Sequence, residues 1–418
     1  ISLGYFLTAI GGLLGVRILT AYLTPSQYGE LAFGITMGGF FYSVLIGPLS
    51  NGITRFLPIA KEKKEIRFYL FNVYQIILKS SNLIILLSLI VVILIIFSGN
   101  LKWISFALLS IAFGFIYSFN NLLLGLQIAT RKRLKVSLNQ GLITFARFFT
   151  AFLFIQLFGA SGKIALFGQF IGLIIVFLIQ FNLFIPDLRR YISKEENKIR
   201  KVNWQKNIIL FSRPLIIIGL LNWLRFAVEK WGILFFTNYD DALGYYAIIY
   251  QFGYYPISLL VNLLINYLRP IYFEKAGDNK ERLLSTYLLG VKIFIAFILI
   301  SIFFIYFIFI NKDMIFSFIL DEDYQSISYL IGLMMMSSLL NESTSFVSLL
   351  IQTKKETKPL LKPNAFSYLL GILSTVLGAY LYGLYGVVIA SLLNSSIKFI
   401  YFSLICKYHY KKLTIKKH

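Results

Sequence analysis

Charge is scarce in this chain, and negative charge is scarcest. Of 418 residues only 18 are Asp or Glu, against 40 Lys or Arg, and charged residues together make up 14%. Soluble domains carry about 25% charged residues. Here 58% of residues are apolar and the mean hydropathy is +0.76, more apolar surface than a folded core can hide from water. Lipid must be the solvent for most of it. Histidine is nearly missing: His409 and His418 both fall beyond the last apolar run, which excludes a His metal ligand or a His general base inside the apolar body. The single cysteine, Cys406, excludes an intrachain disulfide and a Cys-rich metal centre. There is no Walker-type phosphate loop. No metal or cofactor is therefore expected. Long outer loops are missing too, so there is no room for the catalytic domain that a membrane glycosyltransferase or polysaccharide polymerase usually carries. The longest outer loop, around Lys312 to Asp323, holds Asp321, Glu322 and Asp323, and reads as a solvated face rather than a cation site.

What is present is a succession of apolar runs, each near the 20 or so residues that cross a bilayer as a helix. The spans fall at roughly 1–23, 30–54, 68–98, 103–130, 136–158 and 163–185, then 207–237, 243–268, 283–310, 325–352, 364–382 and 385–406. This predicts an all-α polytopic membrane protein with twelve transmembrane helices. An N-terminal six-helix bundle (1–185) and a C-terminal one (207–406) are joined by a linker at 186–206, and a basic tail follows at 407–418. The chain opens on Ile1, and its first apolar run continues into the body without a small-residue cleavage site, so it reads as a retained helix.

In a soluble chain a net charge of +22 would point to nucleic acid. The positions of the charges point elsewhere, and no nucleic-acid partner is expected. One set of alternate loops holds Arg55, Lys61, Lys63, Lys64 and Arg67, then Arg131, Lys132, Arg133 and Lys135, a cluster from Arg189 to Lys206, and Arg269, Lys275, Lys280 and Arg282. Lys354, Lys355, Lys358, Lys362 and the tail from Lys407 to Lys417 complete it. That set has 29 basic residues, and the other has only Lys102, Lys163 and Lys312. The positive-inside rule puts the rich set, and with it both termini, in the cytoplasm.

The halves resemble each other. At an offset of 215, Leu19 to Gly29 lies over Leu234 to Gly244, and Asn51 falls on Asn266; Gly159-x-x-Gly162 recurs as Gly383-x-x-Gly386. Two six-helix halves of equal polarity imply a parallel repeat, an architecture that binds substrate between the halves and alternates access by rocking them.

Eight basic residues lie within the spans: Arg17, Lys79, Arg147, Arg213, Arg225, Lys230, Lys292 and Lys398; the acids clearly there are Glu229 and Glu342. A charge at the bilayer centre costs roughly 2.5–3.5 kcal/mol on insertion scales, so such residues usually face a cavity or a partner. Lys79, Lys292 and Arg213 lie near cytoplasmic ends and read as snorkelling side chains; Lys398 is intermediate. Arg147 and Arg225 are too deep for that. Arg225 either pairs with Glu229 at i,i+4 or serves a cavity, and Arg147 either braces its own half or lines that cavity. Surplus buried positive charge suits an anionic cargo such as pyrophosphate and suits a cationic drug poorly. The tyrosines, many of them explained by interfacial belts and packing, define no site by themselves.

Several runs resemble bacterial polysaccharide-unit flippases of the multidrug, oligosaccharidyl-lipid and polysaccharide exporter superfamily: Arg17-ILTAYLTPSQYGELAF-Gly34, Ile46-GPLSNGITR-Phe56, and Trp223-LRFAVEKWGILF-Phe236 followed by Gly244-Tyr-Tyr-Ala247. The resemblance implies a V-shaped pair of six-helix bundles around a cavity lined mainly by helices one, two, seven and eight. It implies transfer of an undecaprenyl-pyrophosphate-linked oligosaccharide across the bacterial inner membrane, as for O-antigen or capsule, alongside a polysaccharide polymerase and chain-length machinery. On that map Arg17, Arg225, Glu229 and Lys230 lie on cavity-lining helices and Arg55 sits at the inner mouth. With Arg147, the arginines and Lys230 are the candidate cargo ligands. Glu229 and Glu342 are candidates for coupling to a proton or sodium gradient. The rivals are a peptidoglycan-precursor flippase, which usually has more helices; a cation antiporter, disfavoured because the first helix lacks an acid; a membrane polymerase or ligase; and a non-transporting scaffold.

Overall fold

The computed structural model describes residues 2–99, 101–129, 133–192, 202–237, 241–276, 280–352 and 360–415. Outside these lie Arg131, Lys132, Lys194, Lys198, Arg200, Lys201, Lys354, Lys355, Lys358, Lys416 and Lys417 of the basic set, as does His418.

Every described element is helical. Hydrocarbon offers the backbone no partners, so each segment must pair its own N–H and C=O groups. The first half runs α1 (Ser2–Tyr22), α2 (Pro25–Phe41) continued through a π turn (Tyr42–Ile46) into α3 (Gly47–Glu62), α4 (Ile66–Phe97), α5 (Lys102–Ala129), α6 (Arg133–Phe158) and α7 (Gly162–Ile192). The second runs α8 (Trp204–Phe236), α9 (Ala242–Ile249) continued through a π turn (Tyr250–Tyr254) into α10 (Tyr255–Ala276), and α11 (Lys280–Ile310). A short α12 (Lys312–Ile319) and a 3-10 turn (Glu322–Ile327) lead to α13 (Ser328–Gln352) and to α14 (Leu361–Ile415). At Gly383 the backbone of α14 leaves the helical region (φ 56, ψ −132), dividing it into two arms. Among the described residues, with each π-linked pair counted as one rod, α14 as two and the eight-residue α12 left out as too short to cross a bilayer, the two halves have six rods apiece, the twelve expected.

Among the described residues, nine stretches are helical and apolar enough to cross a membrane. α13 is not among them, because it carries Ser337, Ser338, Asn341, Glu342, Ser343 and Thr344. Most of these are buried, Ser337, Ser338 and Ser343 completely. Polar residues in membrane helices turn toward protein, where they find partners.

The repeat is visible in the backbone. Gly159 and Gly383, equivalent by sequence, both adopt left-handed φ (93° and 56°) where one helix ends and the next begins, a conformation open to glycine and costly for other residues. The two π turns also correspond. Each lies two residues before a proline, Pro48 and Pro256, and each closes with an i→i−5 bond, from the Gly47 N–H to the Tyr42 carbonyl and from the Tyr255 N–H to the Tyr250 carbonyl. A proline ring collides with the carbonyl four residues back, and widening the turn before it relieves the clash without breaking the helix.

The chain packs as two compact units, Ile1–Leu23 with Glu30–Ala227, and Thr24–Gly29 with Val228–His418. In the first, α6 packs on α1 and α7, and α5 on α7. The early part of α8 belongs to this unit. Trp204 is buried beside Tyr69, with ring centroids 5.5 Å apart, and its indole N–H donates to Glu65 (2.8 Å). Farther along, the Ser212 hydroxyl donates to the Pro48 carbonyl (2.9 Å) and the Trp223 indole to the Thr36 carbonyl (2.9 Å). In the second unit α13 packs on α14, α10 and the second π turn. Tyr324 is completely buried between Tyr28 and Tyr245, edge-on to both. Burial, reinforced by Tyr28 and Asp323, pushes its phenol above the usual range. Gly29 and Gly244, equivalent in the repeat, meet in this same unit: a Cβ on Gly29 would stand 2.8 Å from the Gly244 nitrogen.

Candidate functional site

The charges singled out in the spans divide sharply once the helices are packed. Lys79, Lys292 and Arg213 are exposed on the outside of their helices, in keeping with snorkelling, whereas Arg225, Glu229 and Lys398 are almost wholly buried (2%, 2% and 6% exposed). Arg17, Arg147, Lys230 and Glu342 are half-buried, and Arg55 is exposed.

In the first unit the charges rest on aromatic rings. The Arg147 guanidinium, on α6, donates through Nε and Nη2 to Gln169 Oε1 on α7 (3.1 and 2.6 Å). It also lies over Phe113 and Tyr117 of α5, 5.3 and 5.8 Å from their centroids. Tyr117 in turn packs edge-on against Tyr42, the first residue of the π turn (5.5 Å). Arg147 therefore ties three helices to that turn. Arg225 lies over Phe226 (4.7 Å) and Arg55 over Phe211 (4.6 Å). Planar guanidinium groups stack on rings and still present their N–H fork at the edge, the geometry that holds phosphate oxygens.

The second unit contains a connected polar chain. Tyr246, Tyr250 and Tyr254 recur every fourth residue through α9 and the π turn, so they form a stripe. At one end of it the Tyr246 hydroxyl donates to Glu229 Oε2 (2.7 Å). In the middle, Tyr250 and Tyr254 stack with centroids 4.8 Å apart and planes 10° from parallel, and the Lys230 ammonium stands 5.9 Å from the Tyr250 ring. At the other end the Tyr254 hydroxyl donates to Glu342 Oε1 (2.9 Å). The Asn341 amide nitrogen donates to the Tyr254 hydroxyl and to Glu342 (3.2 Å). The Asn341 carbonyl accepts from Lys398 Nζ (2.9 Å), and the lysine is flanked by the Tyr368 and Phe402 rings (5.4 and 5.9 Å). Ser338 holds the backbone, donating to the Tyr254 carbonyl (2.8 Å). Two carboxylates and two ammonium groups are thus gathered along one tyrosine stripe, each hydrogen-bonded or set against a ring.

The sequence does not single out Tyr246, Tyr250, Tyr254 or Asn341, and it puts Lys398 in an intermediate place. The i,i+4,i+8 tyrosine spacing just before Pro256 was the readable signal. Glu229 and Lys230 lie nearby on α8, but the partners at the Tyr254 end, Glu342, Asn341 and Lys398, lie on α13 and α14, far along the chain.

The hydrogen bonds of Tyr254, Glu342, Asn341 and Lys398 pass through shared side chains, so they should behave as one unit. Lys398→Met leaves the buried Asn341 carbonyl without this donor, and Tyr254→Phe removes a donor to Glu342. Each is expected to cost about 1–3 kcal/mol. Together they should cost less than the sum, by about 0.5–3 kcal/mol. A double-mutant cycle of thermal unfolding in detergent measures this, and strict additivity would mean that the two ends are independent.

The fold is that of transporters of the MOP superfamily. A multidrug resistance MATE family transporter of that superfamily in its inward-facing conformation superposes with a TM-score of 0.67 over 100% of this chain and 96% of its own, at 16% identity. A MOP superfamily transporter from Pyrococcus furiosus, described as having a binding pocket of reverse polarity, gives 0.63 at 15% identity over 98% and 96%. The lipid II flippase MurJ, in an inward closed conformation, gives 0.63 at 16% identity over 99% and 89%. No curated protein matches the sequence. The chain itself belongs to the polysaccharide biosynthesis protein family, whose model matches residues 1–274. It is therefore a multi-pass membrane protein of transporter fold within a polysaccharide biosynthesis family.

Proposed function

We propose that this protein is a flippase that moves undecaprenyl-pyrophosphate-linked oligosaccharides across the bacterial inner membrane for surface polysaccharide assembly, and that it is a transporter rather than an enzyme. The observation that carries the reading is a set of cations held on aromatic rings inside membrane helices: Arg147 over Phe113 and Tyr117, Arg225 over Phe226, and Lys230 beside Tyr250. Cations there match the pyrophosphate, and flat aromatic faces match sugar rings. Membership of the polysaccharide biosynthesis family supports the cargo class, and MurJ is an instance of the same fold serving a lipid-linked substrate.

In this mechanism Arg17, Arg55, Arg147, Arg225 and Lys230 neutralise the pyrophosphate, the sugars cross in a polar cavity, and the polyprenyl tail stays in the bilayer. Two conformations close in energy alternate, and cargo or an ion biases them. Glu229 and Glu342 are the acids available to couple a proton or sodium gradient. The basic loops set the orientation, with both termini cytoplasmic. A polymerase and chain-length machinery would take the unit over on the far side.

The test is movement of a fluorescent undecaprenyl-pyrophosphate oligosaccharide in proteoliposomes containing this protein alone. Protein-dependent exposure in the opposite leaflet, with the sugar chain unchanged in length, is the expected result. A lengthened sugar chain would instead make it a polymerase. No movement with several sugar units, under either ion gradient, would remove the flippase reading.

A further inference from the structure

Two crevices open between helices of the second unit, and each ends at a lysine. The first, about 520 Å3, lies between the two arms of α14 and is lined by Lys362, Phe366, Ile397, Ile400, Tyr401 and Leu404. Phe366 meets Tyr401 edge-on at 6.0 Å, so the arms run back along one another. Lys362 at the start of α14 and Lys407 in its last turns therefore come to the same end. The second crevice, about 370 Å3, lies between α11 and the far arm, with Tyr287, Phe294, Val347 and Cys406 on its walls and Lys407 at its mouth. Both volumes fall in the range of small-molecule sites, roughly 300–1,000 Å3.

The walls of the first crevice are hydrocarbon turned outward: Phe366, Ile400 and Leu404 are at least half exposed, and Leu369, Leu373 and Leu393 extend the apolar surface along the arms. In a membrane helix such a surface is covered by lipid chains. The polar end has one sign, with a lysine and no acid among the lining residues. Lys362 also sits in the first turn of α14, which holds no acidic residue. A cation there opposes the helix dipole, whereas an anion would be favoured by dipole and lysine together.

We propose that the crevice between the arms of α14 binds an anionic phospholipid, its phosphate at Lys362 and one acyl chain along Phe366, Ile397, Ile400 and Leu404. The lipid is resident rather than carried. A headgroup that changes leaflets must leave the end where it started, and the crevice offers it no second cation along its length. Basic residues between membrane helices are the usual receptors for anionic headgroups. The inference stands apart from the flippase reading, because it concerns binding with no transport.

The test uses the full-length protein in detergent, with phosphatidylglycerol or phosphatidylcholine added and binding followed by native mass spectrometry and thermal unfolding. Phosphatidylglycerol is expected to bind and to raise the unfolding temperature at concentrations where phosphatidylcholine does neither. Lys362→Gln should weaken that binding about fivefold, the effect of losing one lysine near a phosphate, and Lys362→Arg should restore it. Ile400→Trp, which fills the crevice and leaves the lysine in place, should displace the chain and lose the binding. Equal responses to the two lipids would overturn the proposal, as would phosphatidylglycerol binding unchanged in both Lys362→Gln and Ile400→Trp. Displacement of the phospholipid by undecaprenyl pyrophosphate, with the same dependence on Lys362, would also overturn it, by assigning the crevice to the cargo's tail.

Discussion

Replacing Arg225 by alanine is expected to abolish surface polysaccharide in a flippase-deficient strain carrying the variant, while the protein continues to be made and inserted. Arg225 is 2% exposed, and its guanidinium lies over the neighbouring Phe226 ring. A charge so deep in a membrane helix is costly and is kept where it meets a partner or a cargo. Removing one side of a desolvated charged contact costs about 2–5 kcal/mol or more, so cargo handling should weaken at least about 30-fold. Arg225→Lys keeps the charge but loses the planar fork that grips a phosphate through two oxygens, and should retain part of the activity. The readout is polymer on the cell surface, with the amount of protein in the membrane measured alongside. Normal polymer in Arg225→Ala would take Arg225 out of the mechanism.

The second large effect is on folding. Gly386→Ala should prevent stable accumulation of the protein, whereas Gly39→Ala should be tolerated. Gly386 begins the far arm of α14 just after the break at Gly383, and there the two arms touch backbone to backbone. A methyl group on Gly386 would stand 1.8 Å from the Gly378 carbonyl oxygen and 2.4 Å from its carbon, while one on Gly39 would meet nothing within 4 Å. No side chain at Gly386 can swing aside, so the arms must separate and give up the close contact that drives association between membrane helices. The cost belongs with exceptional single substitutions, more than about 4 kcal/mol. Membrane yield and size-exclusion profile in detergent report it. A monodisperse Gly386→Ala at normal yield would show that the arms can part cheaply. At Gly39 the same change removes a flexible residue from a helix, which by itself is neutral or slightly stabilising.

The spans and the repeat could be read from the sequence because a bilayer asks little of it: enough consecutive apolar residues, in segments that pair their own backbone. Gly159 and Gly383 could be matched from their spacing alone, and both prove left-handed. Pro48 and Pro256 were visible as prolines within spans; that each sits just beyond a π turn was not, because a proline in a helix can produce a kink, a break or a widened turn, and neighbouring packing selects among them. The expected end of the sixth span at 185 marks the end of the apolar run, whereas α7 continues to Ile192. Helices are free to continue past the hydrocarbon, where water no longer demands that they be apolar.

The candidate site was less legible. Arg147, Arg225, Glu229 and Lys230 stood out as charges within apolar runs, and the tyrosine stripe could be found by spacing, but their surroundings could not. Gln169 is 22 residues from Arg147, and Asn341 is 57 residues from Lys398. By sequence, 325–352 counts as one more span; only the structure shows that Ser337, Ser338 and Asn341 of α13 are parts of a buried network.

By itself the sequence determined that this is a twelve-span membrane protein of duplicated halves, with one set of loops strongly basic. These properties depend on local composition and on chain order. Tertiary structure alone decided where each charge in a span faces. Lys292 and Lys398 are each the one lysine of an apolar span, 283–310 and 385–406; one is exposed on the outside of α11, and the other is buried against Asn341, Tyr368 and Phe402. A membrane helix that touches lipid on one side and protein on the other is apolar on both, so its sequence carries no periodic record of which side is which.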